Sequence, residues 1–252
     1  MRLTVIGASG SYPGPDSPAS CYLLESELEG RTFRLLIDMG SGALGVLHRF
    51  IDPTTVEAVL LSHLHADHCL DLTGFYVLRK YHPKGACPRI PVWGPEDTDR
   101  RMAKAYDLDE DPGMNEEFDF TLYPEETFTV GPFEVTARRV AHPVTAYGLT
   151  IRADGRTLAY SGDTGTCDAL VETAREADFF LCEASFVEGG DNPPDLHLTG
   201  AEAGVMATQA AAKRLVLTHV PPWHDAEVML AEAHLTYDGP IELAVPGRTY
   251  EI

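Results

Sequence analysis

The sequence predicts a globular protein of the α/β class, and three observations lead to this prediction. Short apolar runs rich in Val, Ile, Leu and Phe recur along the 252 residues, which is typical of buried strands. Stretches with helical periodicity lie between these runs, and interleaved strands and helices are the mark of the α/β class. Hydrophobic residues make up 44% of the chain, which is enough for a substantial core at this length.

The predicted strands are apolar runs of three to five residues, at positions 3–6, 22–24, 33–37, 58–61, 133–137, 149–151, 179–181 and 215–217. The predicted helices lie at 70–79, 98–106, 167–176, 200–212 and 226–234, and the helix from Gly200 is rich in alanine, the best helix former. The acidic segment 108–120 contains Pro112-Gly113 and is predicted as a surface loop. Since no segment has the composition of a linker, residues 1–252 are predicted to form a single domain.

The charge of the chain argues against a polyanionic partner. The formal net charge is −20 at pH 7, so a nucleic acid would meet a repulsive field unless basic residues were gathered in one place. The densest basic pairs are Arg100-Arg101 and Arg138-Arg139, which we expect on solvated faces. Nucleic acid is therefore not expected as a partner, whereas a small anionic substrate is compatible with the sequence.

No targeting or membrane segment is visible in the sequence. No run approaches 18 consecutive apolar residues, and the first ten residues lead directly into a predicted strand without the pattern of a signal peptide. The five cysteines form no CxxC pair and are expected to be reduced, buried thiols. These features predict a cytoplasmic protein with no membrane partner.

The densest group of potential metal ligands is the motif His63-Leu64-His65-Ala66-Asp67-His68. It follows a predicted buried strand, where polar side chains without partners are energetically costly. Zinc binds imidazole nitrogen and carboxylate oxygen, and a catalytic zinc site keeps one position open for water. The motif therefore predicts a catalytic zinc centre whose remaining ligands come from other parts of the chain.

Three further candidates stand directly after predicted strands. His142 follows the run 133–140, Asp163 lies in the turn Ser161-Gly162-Asp163-Thr164-Gly165, and His219 follows 215–218. Two zinc ions that share a carboxylate can lower the pKa of a bound water from 15.7 to about 7 and can accept a substrate oxygen. The residues therefore favour hydrolysis of a phosphodiester or an ester by a metal-bridging hydroxide.

The motifs HLHADH, Ala141-His142-Pro143, Ser161-Gly162-Asp163-Thr164 and Thr218-His219 together resemble the metallo-β-lactamase superfamily. The resemblance implies a four-layer αββα sandwich. It also implies a first metal held by His63, His65 and His142, a second held by Asp67, His68 and His219, and a bridging Asp163. Two Zn²⁺ ions are the expected cofactors, and Mn²⁺ or Fe²⁺ are alternatives for the same ligands.

Three more segments resemble the ribonuclease Z-like branch of that superfamily, namely GASG at 7–10, CEASF at 182–186 and DLHLTG at 195–200. The branch implies that His197 lies beside the metals as a phosphate ligand or general acid and that Glu183 orients it. A protonated histidine can give its proton to a leaving alkoxide. Asp67, His197 and Glu183 are therefore the expected catalytic residues. The alternative for His197 is a structural histidine near a helix N-cap at Thr199.

The chain departs from the ribonuclease Z enzymes that mature transfer RNA. Those enzymes share a long arm that is inserted between the third metal histidine and the bridging aspartate. In this chain the matching residues, His142 and Asp163, are only 21 residues apart, which leaves no room for such an arm. Their basic substrate loop is replaced here by YPGPDSPAS at 12–20. Together with the negative charge, these departures disfavour a tRNA 3′-processing endonuclease.

A further resemblance covers nearly the whole chain, through the segments GPDSPAS, SHLHADHCLDL, RKYHP, AYSGDTG, LCEAS, PPDLHLTG and THVPPW. These segments look like small bacterial cyclic-nucleotide phosphodiesterases of the metallo-β-lactamase fold. The resemblance implies hydrolysis of 3′,5′-cyclic AMP to 5′-AMP in a homodimer. Trp223, Tyr76 and Tyr81 are candidates for stacking on the base, although core packing is the commoner role of such aromatic residues.

Two other functions are alternatives to a phosphodiesterase, and the second is disfavoured by the sequence. The same metals would attack a carbonyl carbon as readily as phosphorus, so a lactone or thioester hydrolase is the main alternative. A protein that holds a nucleotide on bound zinc without turnover would need a defective site, and every expected ligand is present. His197 distinguishes the first alternative, because a carbonyl hydrolase has less need of a phosphate-binding histidine.

Overall fold

The computed structural model describes all residues of the chain, Met1–Ile252. The strands are β1 Arg2–Gly7, β2 Cys21–Leu28, β3 Arg31–Ile37, β4 Ala58–Leu60, β5 Ile90–Gly94, β6 Phe118–Leu122, β7 Phe128–Val130, β8 Phe133–Arg139, β9 Tyr147–Ala153, β10 Arg156–Tyr160, β11 Phe179–Glu183, β12 Leu215–Thr218, β13 Ile241–Leu243 and β14 Thr249–Glu251. The helices are α1 Ala43–Leu47, α2 Ala66–Cys69, α3 Leu72–Lys80, α4 Thr98–Ala105, α5 Asp168–Ala174, α6 Gly200–Gln209 and α7 Ala226–Ala233, with a 3-10 turn at Pro53–Thr55.

The strands form two sheets of seven strands each. The first sheet has the order β14-β1-β2-β3-β4-β5-β6, and the second has the order β13-β12-β11-β10-β9-β8-β7. Strands β3 to β6 run parallel to one another, as do β10 to β13, and the remaining neighbours are antiparallel. The parallel part of each sheet thus has all its carboxyl ends at one edge.

Three hydrophobic clusters fill the spaces between the layers, and alternation along the strands assigns residues to them. In β3, Leu35 and Ile37 join the cluster between the sheets, whereas Leu36 joins the cluster beneath α1, α3 and α4. In β11, Leu181 faces the other sheet and Phe180 faces α5, α6 and α7. The layers therefore follow the order helix, sheet, sheet, helix, and the predicted αββα sandwich is confirmed.

The prediction of a surface loop at 108–120 is wrong at its carboxyl end. Strand β6 begins at Phe118 and extends the first sheet by parallel pairing with β5. Met114 and Phe118 are fully buried, and the Phe118 ring lies 5.9 Å from the ring of Phe75. The acidic residues of this segment concealed the strand, because β6 is an edge strand with mostly exposed positions.

None of the helices is both long and apolar enough to cross a lipid bilayer. All five cysteines are free thiols, and Cys21, Cys69 and Cys182 are buried, as the sequence predicts. Cys87 and Cys167 are only half-buried, so the prediction of burial is wrong for these two. The single-domain extent, the homodimer and the cytoplasmic location stay predictions.

The crossing of α6 and α7 gives a testable expectation. A Cβ atom on Gly200 would lie 2.1 Å from the carbonyl oxygen of Met229 in α7, so Gly200→Ala must push the two helices apart. We expect it to lower the free energy of unfolding by about 1–3 kcal/mol, the usual cost of overpacking. Urea denaturation of the metal-loaded protein measures this change.

The matched control is Gly45→Ala in α1, because a Cβ at Gly45 meets no atom within 4 Å. There the higher helix propensity of alanine is expected to raise the stability by up to about 1 kcal/mol. Equal stabilities of the two variants would contradict the close approach of α6 and α7.

Candidate metal centre

The first ligand cluster consists of His63, His65, His142 and Asp163. His65 Nδ1 lies 3.0 Å from His63 Nε2 and 3.3 Å from His142 Nε2, and Asp163 Oδ2 lies 3.5 Å from His63 Nε2. Burial lowers the pKa of all three imidazoles. The rings therefore favour the neutral form, which is the form that binds metal ions.

The second ligand cluster consists of Asp67, His68, His219 and again Asp163. His219 Nε2 lies 2.9 Å from His68 Nε2 and 3.1 Å from Asp67 Oδ2, and Asp163 Oδ1 lies 3.1 Å from His68 Nε2. Burial opposes the charge of His68, but the carboxylates of Asp163 and Asp38 outweigh it and raise the pKa of His68. Its surroundings thus favour a positive charge at this point, whether that charge is a proton or a metal ion.

Two features of the clusters fit a pair of metal ions. Oδ1 of Asp163 is buried without a hydrogen-bond partner, although it lies between two ring nitrogens. The ring nitrogens of His68 and His219 face each other and can share only one proton. Cations bound in the two clusters would accept the lone pairs of the Asp163 oxygen and of the ring nitrogens. Imidazole nitrogen with carboxylate oxygen is a donor set that suits zinc.

Glycines next to the ligands allow the loops to approach closely. A Cβ atom on Gly10 would lie 2.2 Å from the carbonyl oxygen of His219, and one on Gly40 would lie 1.9 Å from that of Asp67. His219 itself has a φ of 57°, which is uncommon for a residue other than glycine. The loop that carries His219 is therefore held in an unusual conformation against the GASG segment.

Asp38, which the sequence analysis missed, orients the buried ligands. Its Oδ2 accepts hydrogen bonds from His68 Nδ1 at 2.7 Å, from Tyr160 Oη at 2.7 Å and from Ser62 Oγ at 2.8 Å, while its Oδ1 accepts one from the Ser62 backbone at 2.6 Å. Such a carboxylate fixes the ring orientation of a metal-binding histidine and raises its basicity. An acidic residue directly after the buried run 33–37 was the available signal.

Glu183 and His197 lie beside both clusters, as the sequence predicts. His197 Nδ1 donates a hydrogen bond to Glu183 Oε1 at 3.0 Å and lies 4.0 Å from Asp163 Oδ2. Burial alone would lower the pKa of His197, but the charge and hydrogen bond of Glu183 outweigh it and raise the pKa to about 9. Glu183 thus favours the protonated form of the ring at neutral pH. The N-cap of α6 is made by Thr199 and Glu202 without His197.

A cavity of about 590 Å³ borders the first ligand cluster at His65. Arg100, Arg101 and Lys104 of α4 line one side of it, and Val144 and Thr145 line another. Arg100 and Arg101 are exposed, which confirms the prediction that they lie on a solvated face. The same face borders the cavity next to His65. Glu96, Asp97 and Glu110 line the same cavity, and Arg100 pairs with Asp97 at 3.3 Å and with Glu110 at 3.5 Å. The cavity lining therefore holds as many acidic residues as lysines and arginines.

The three aromatic candidates for base stacking have different environments. Tyr76 is 2% exposed and packs in the core, so it is excluded as a stacking surface. Tyr81 is exposed and lies edge-on to Tyr76. Trp223 is 58% exposed, and its ring lies 5.3 Å from that of Tyr12, which the sequence analysis did not single out. Trp223 with Tyr12 is therefore the better candidate surface.

All nine residues predicted for the site come together in the two ligand clusters and the adjoining group Glu183, His197 and His219. None of them lies elsewhere in the fold.

Comparison with known proteins identifies the family. A model of the beta-lactamase superfamily domain matches residues 33–220. The protein Rv1339 of Mycobacterium tuberculosis is 48% identical over 259 residues, which covers 100% of this chain and 92% of that protein. Ribonuclease Z of Myxococcus xanthus is 29% identical over 311 residues, which covers 100% of this chain and 98% of that enzyme.

Among solved structures, the metallo-beta-lactamase fold protein YhfI from Bacillus subtilis superposes with a TM-score of 0.87 at 28% identity, covering 100% of this chain and 99% of YhfI. The resemblance to the superfamily and to its ribonuclease Z-like branch is thus confirmed. The chain belongs to the beta-lactamase superfamily and is a metallo-hydrolase of the metallo-beta-lactamase fold.

Proposed function

We propose that the protein is a dinuclear-zinc phosphodiesterase that hydrolyses 3′,5′-cyclic AMP to 5′-AMP. The observation that carries this proposal is the pair of His197 and Glu183 beside the carboxylate of Asp163, which would hold both metal ions. Hydrolysis of a phosphodiester expels an alkoxide, which needs a proton, and a protonated imidazole is a suitable donor. A carbonyl hydrolase has less use for a cationic histidine at this position.

The ligand clusters suit the reaction that we propose. Zinc ions held there would supply Lewis acidity toward a phosphoryl oxygen and would lower the pKa of water. Asp163 would hold both ions, since its two oxygens face different clusters. His68 keeps its orientation through Asp38, and His219 Nδ1 lies 2.8 Å from Ser185 Oγ, which donates to Glu183.

The chain's own acid completes the hydrolysis. Glu183 occupies Nδ1 of His197, so Nε2 is the ring nitrogen that can face the substrate. The bond between phosphorus and the ribose 3′ oxygen breaks, the oxygen of water joins phosphorus while one proton of that water passes to solvent, and the Nε2 proton passes to the 3′ oxygen. The product is 5′-AMP, and His197 regains its proton from solvent. Glu183 acts here as a positioning residue.

The size of the adjoining cavity and the missing arm favour a small substrate over RNA. The cavity of about 590 Å³ lies next to His65, and its lining carries as many acidic residues as lysines and arginines, so the attraction for the phosphate of cyclic AMP would come from the ligand clusters. Between His142 and Asp163 the chain forms only the hairpin of β9 and β10. A tRNA-binding arm would have to extend from this place, so the tRNA 3′-processing function is disfavoured.

We expect Asp163→Ala to lose most of both metal equivalents. Its carboxylate faces both clusters, whereas His142 and His219 each belong to one, so His142→Ala and His219→Ala should each lose about one ion. Metal analysis of the dialysed proteins by mass spectrometry measures the content. His82→Ala, outside the clusters, should keep two ions per chain. One ion in the unmodified protein would contradict the dinuclear centre.

We expect His197→Ala to lower kcat on cyclic AMP by about 10²–10⁴-fold, the usual contribution of a general acid. Bis-p-nitrophenyl phosphate expels a weakly basic phenolate that needs no proton, so its hydrolysis should fall far less. Steady-state kinetics on both substrates distinguishes the roles. His224→Ala is the matched control. An equal loss on both substrates would make His197 a phosphate ligand and not an acid.

The substrate class itself is tested with a panel of cyclic AMP, bis-p-nitrophenyl phosphate and a simple lactone on the zinc- or manganese-loaded protein. We expect turnover of cyclic AMP that is abolished in Asp67→Ala, because that variant removes a ligand of the second cluster. Turnover of the lactone without turnover of either phosphodiester would contradict the proposal and favour the carbonyl-hydrolase alternative.

A further inference from the structure

A second cavity lies at the opposite end of the first sheet from the metal ligands. Its volume is about 800 Å³, and its walls include the residues just before β4, the start of β3, the start of β5 and the turn between β7 and β8. The metal-ligand motif 63–68 follows the carboxyl end of β4. The cavity lies at the amino ends of these parallel strands, whereas both ligand clusters lie beyond their carboxyl ends.

The cavity concentrates positive charge in a strongly acidic chain. Four arginines line it, and Glu57 is the one acidic residue in its lining. In the whole chain, 39 acidic residues face only 19 basic ones. The arginines are Arg31, Arg34, Arg79 and Arg89. An anion entering the cavity would meet arginine side chains in place of the carboxylates that predominate over the remaining chain.

Three of the four arginines have carboxylate partners. Arg31 pairs with Glu57 at 2.5 Å, and Arg34 pairs with Glu25 at 3.1 Å. Arg89 pairs with Asp119 at 2.9 Å. Arg31, Arg34 and Arg89 can therefore line the cavity while their charges are balanced by carboxylates.

Arg79 differs, because it is 1% exposed and no carboxylate pairs with it. Its Nε and Nη1 atoms have no hydrogen-bond partner, while its Nη2 donates to the carbonyl oxygen of Pro88. The guanidinium lies 5.2 Å from the centre of the Phe75 ring. A buried cation with unused donors is costly for the fold. Arg79 is among the residues that line the cavity, and because its unused Nε and Nη1 atoms are buried, a ligand would reach them only after a movement of the guanidinium.

We propose that this cavity is a second ligand site that binds a small phosphomonoester, with Arg79 as its central phosphate ligand. A phosphomonoester is a dianion at neutral pH, and the guanidinium fork matches phosphate oxygens in bidentate geometry. Trp93, Phe33 and Ile90 line the same cavity and offer an apolar wall for the carbon part of the ligand. The volume lies in the range of small-molecule sites. The site is independent of the reaction at the metal centre.

The two tryptophans of the chain allow a test specific to this cavity. Trp93 lines it, and Trp223 lies on the loop after the metal ligand His219. In the metal-loaded Trp223→Phe variant, Trp93 is the only tryptophan, and its fluorescence is titrated with ribose 5-phosphate, ribose and inorganic phosphate. We expect a saturable change with ribose 5-phosphate and none with ribose. The converse variant, Trp93→Phe, reports any phosphate that binds at the metal centre.

Arginine substitutions in the same Trp223→Phe protein identify the ligand residues. Arg79→Gln should weaken binding of ribose 5-phosphate by at least about tenfold, since a charged hydrogen bond contributes about 1.5–3 kcal/mol. Arg89→Gln should also weaken it. The matched control is Arg156→Gln, whose side chain is 54% exposed and paired with Asp178, as Arg89 is 49% exposed and paired with Asp119.

Circular dichroism tests whether each variant is folded. If Arg79→Gln is unfolded, the affinities of Arg89→Gln and Arg156→Gln for ribose 5-phosphate are compared instead. The proposal is overturned if Trp93 gives no saturable response to ribose 5-phosphate, or if only inorganic phosphate binds. It is equally overturned if the folded Arg79→Gln variant, or Arg89→Gln in its absence, binds ribose 5-phosphate as tightly as the Arg156→Gln control.

Discussion

The buried carboxylate of Asp163 is the constraint on which the rest of the site depends. It is 2% exposed and lies between His63 on one side and His68 with His219 on the other. So many lone pairs directed at two neighbouring points cannot be satisfied by protons alone. Metal ions in both clusters would satisfy these lone pairs, and metal binding would then contribute to the stability of the fold.

The two sheets contribute to this centre from facing edges. The motif 63–68 leaves the first sheet after β4, whereas His142, Asp163 and His219 leave the second sheet after β8, β10 and β12. The parallel strands deliver their loops at their carboxyl ends, where α/β sheets bind ligands. A hydrogen bond from Tyr160 of β10 to Asp38 then connects the two sheets close to the ligands, and Ser62 holds Asp38 within the first sheet. The geometry of the site is therefore a property of the sandwich and not of one loop.

Much of this arrangement was predictable from local patterns. The candidate ligands could be predicted because imidazole and carboxylate groups directly after buried strands are costly unless they bind something. The αββα sandwich could be predicted from the family resemblance. Asp38 was missed because a single acidic residue after a strand is a weak signal until its partners Ser62, His68 and Tyr160 are close in space. Strand β6 and the cavity around Arg79 depend on contacts between distant segments, which periodicity does not record.

The order of the ligands along the chain has a consequence for how the protein matures. The first cluster is complete once Asp163 has been synthesised, whereas the second also requires His219. During translation the two clusters therefore become available at different times, and the later one needs almost the whole second sheet. Contacts between residues so far apart in sequence form slowly. Metal binding at the second cluster would thus be a late event that reports completion of the fold, because a chain without His219 lacks one of its candidate ligands.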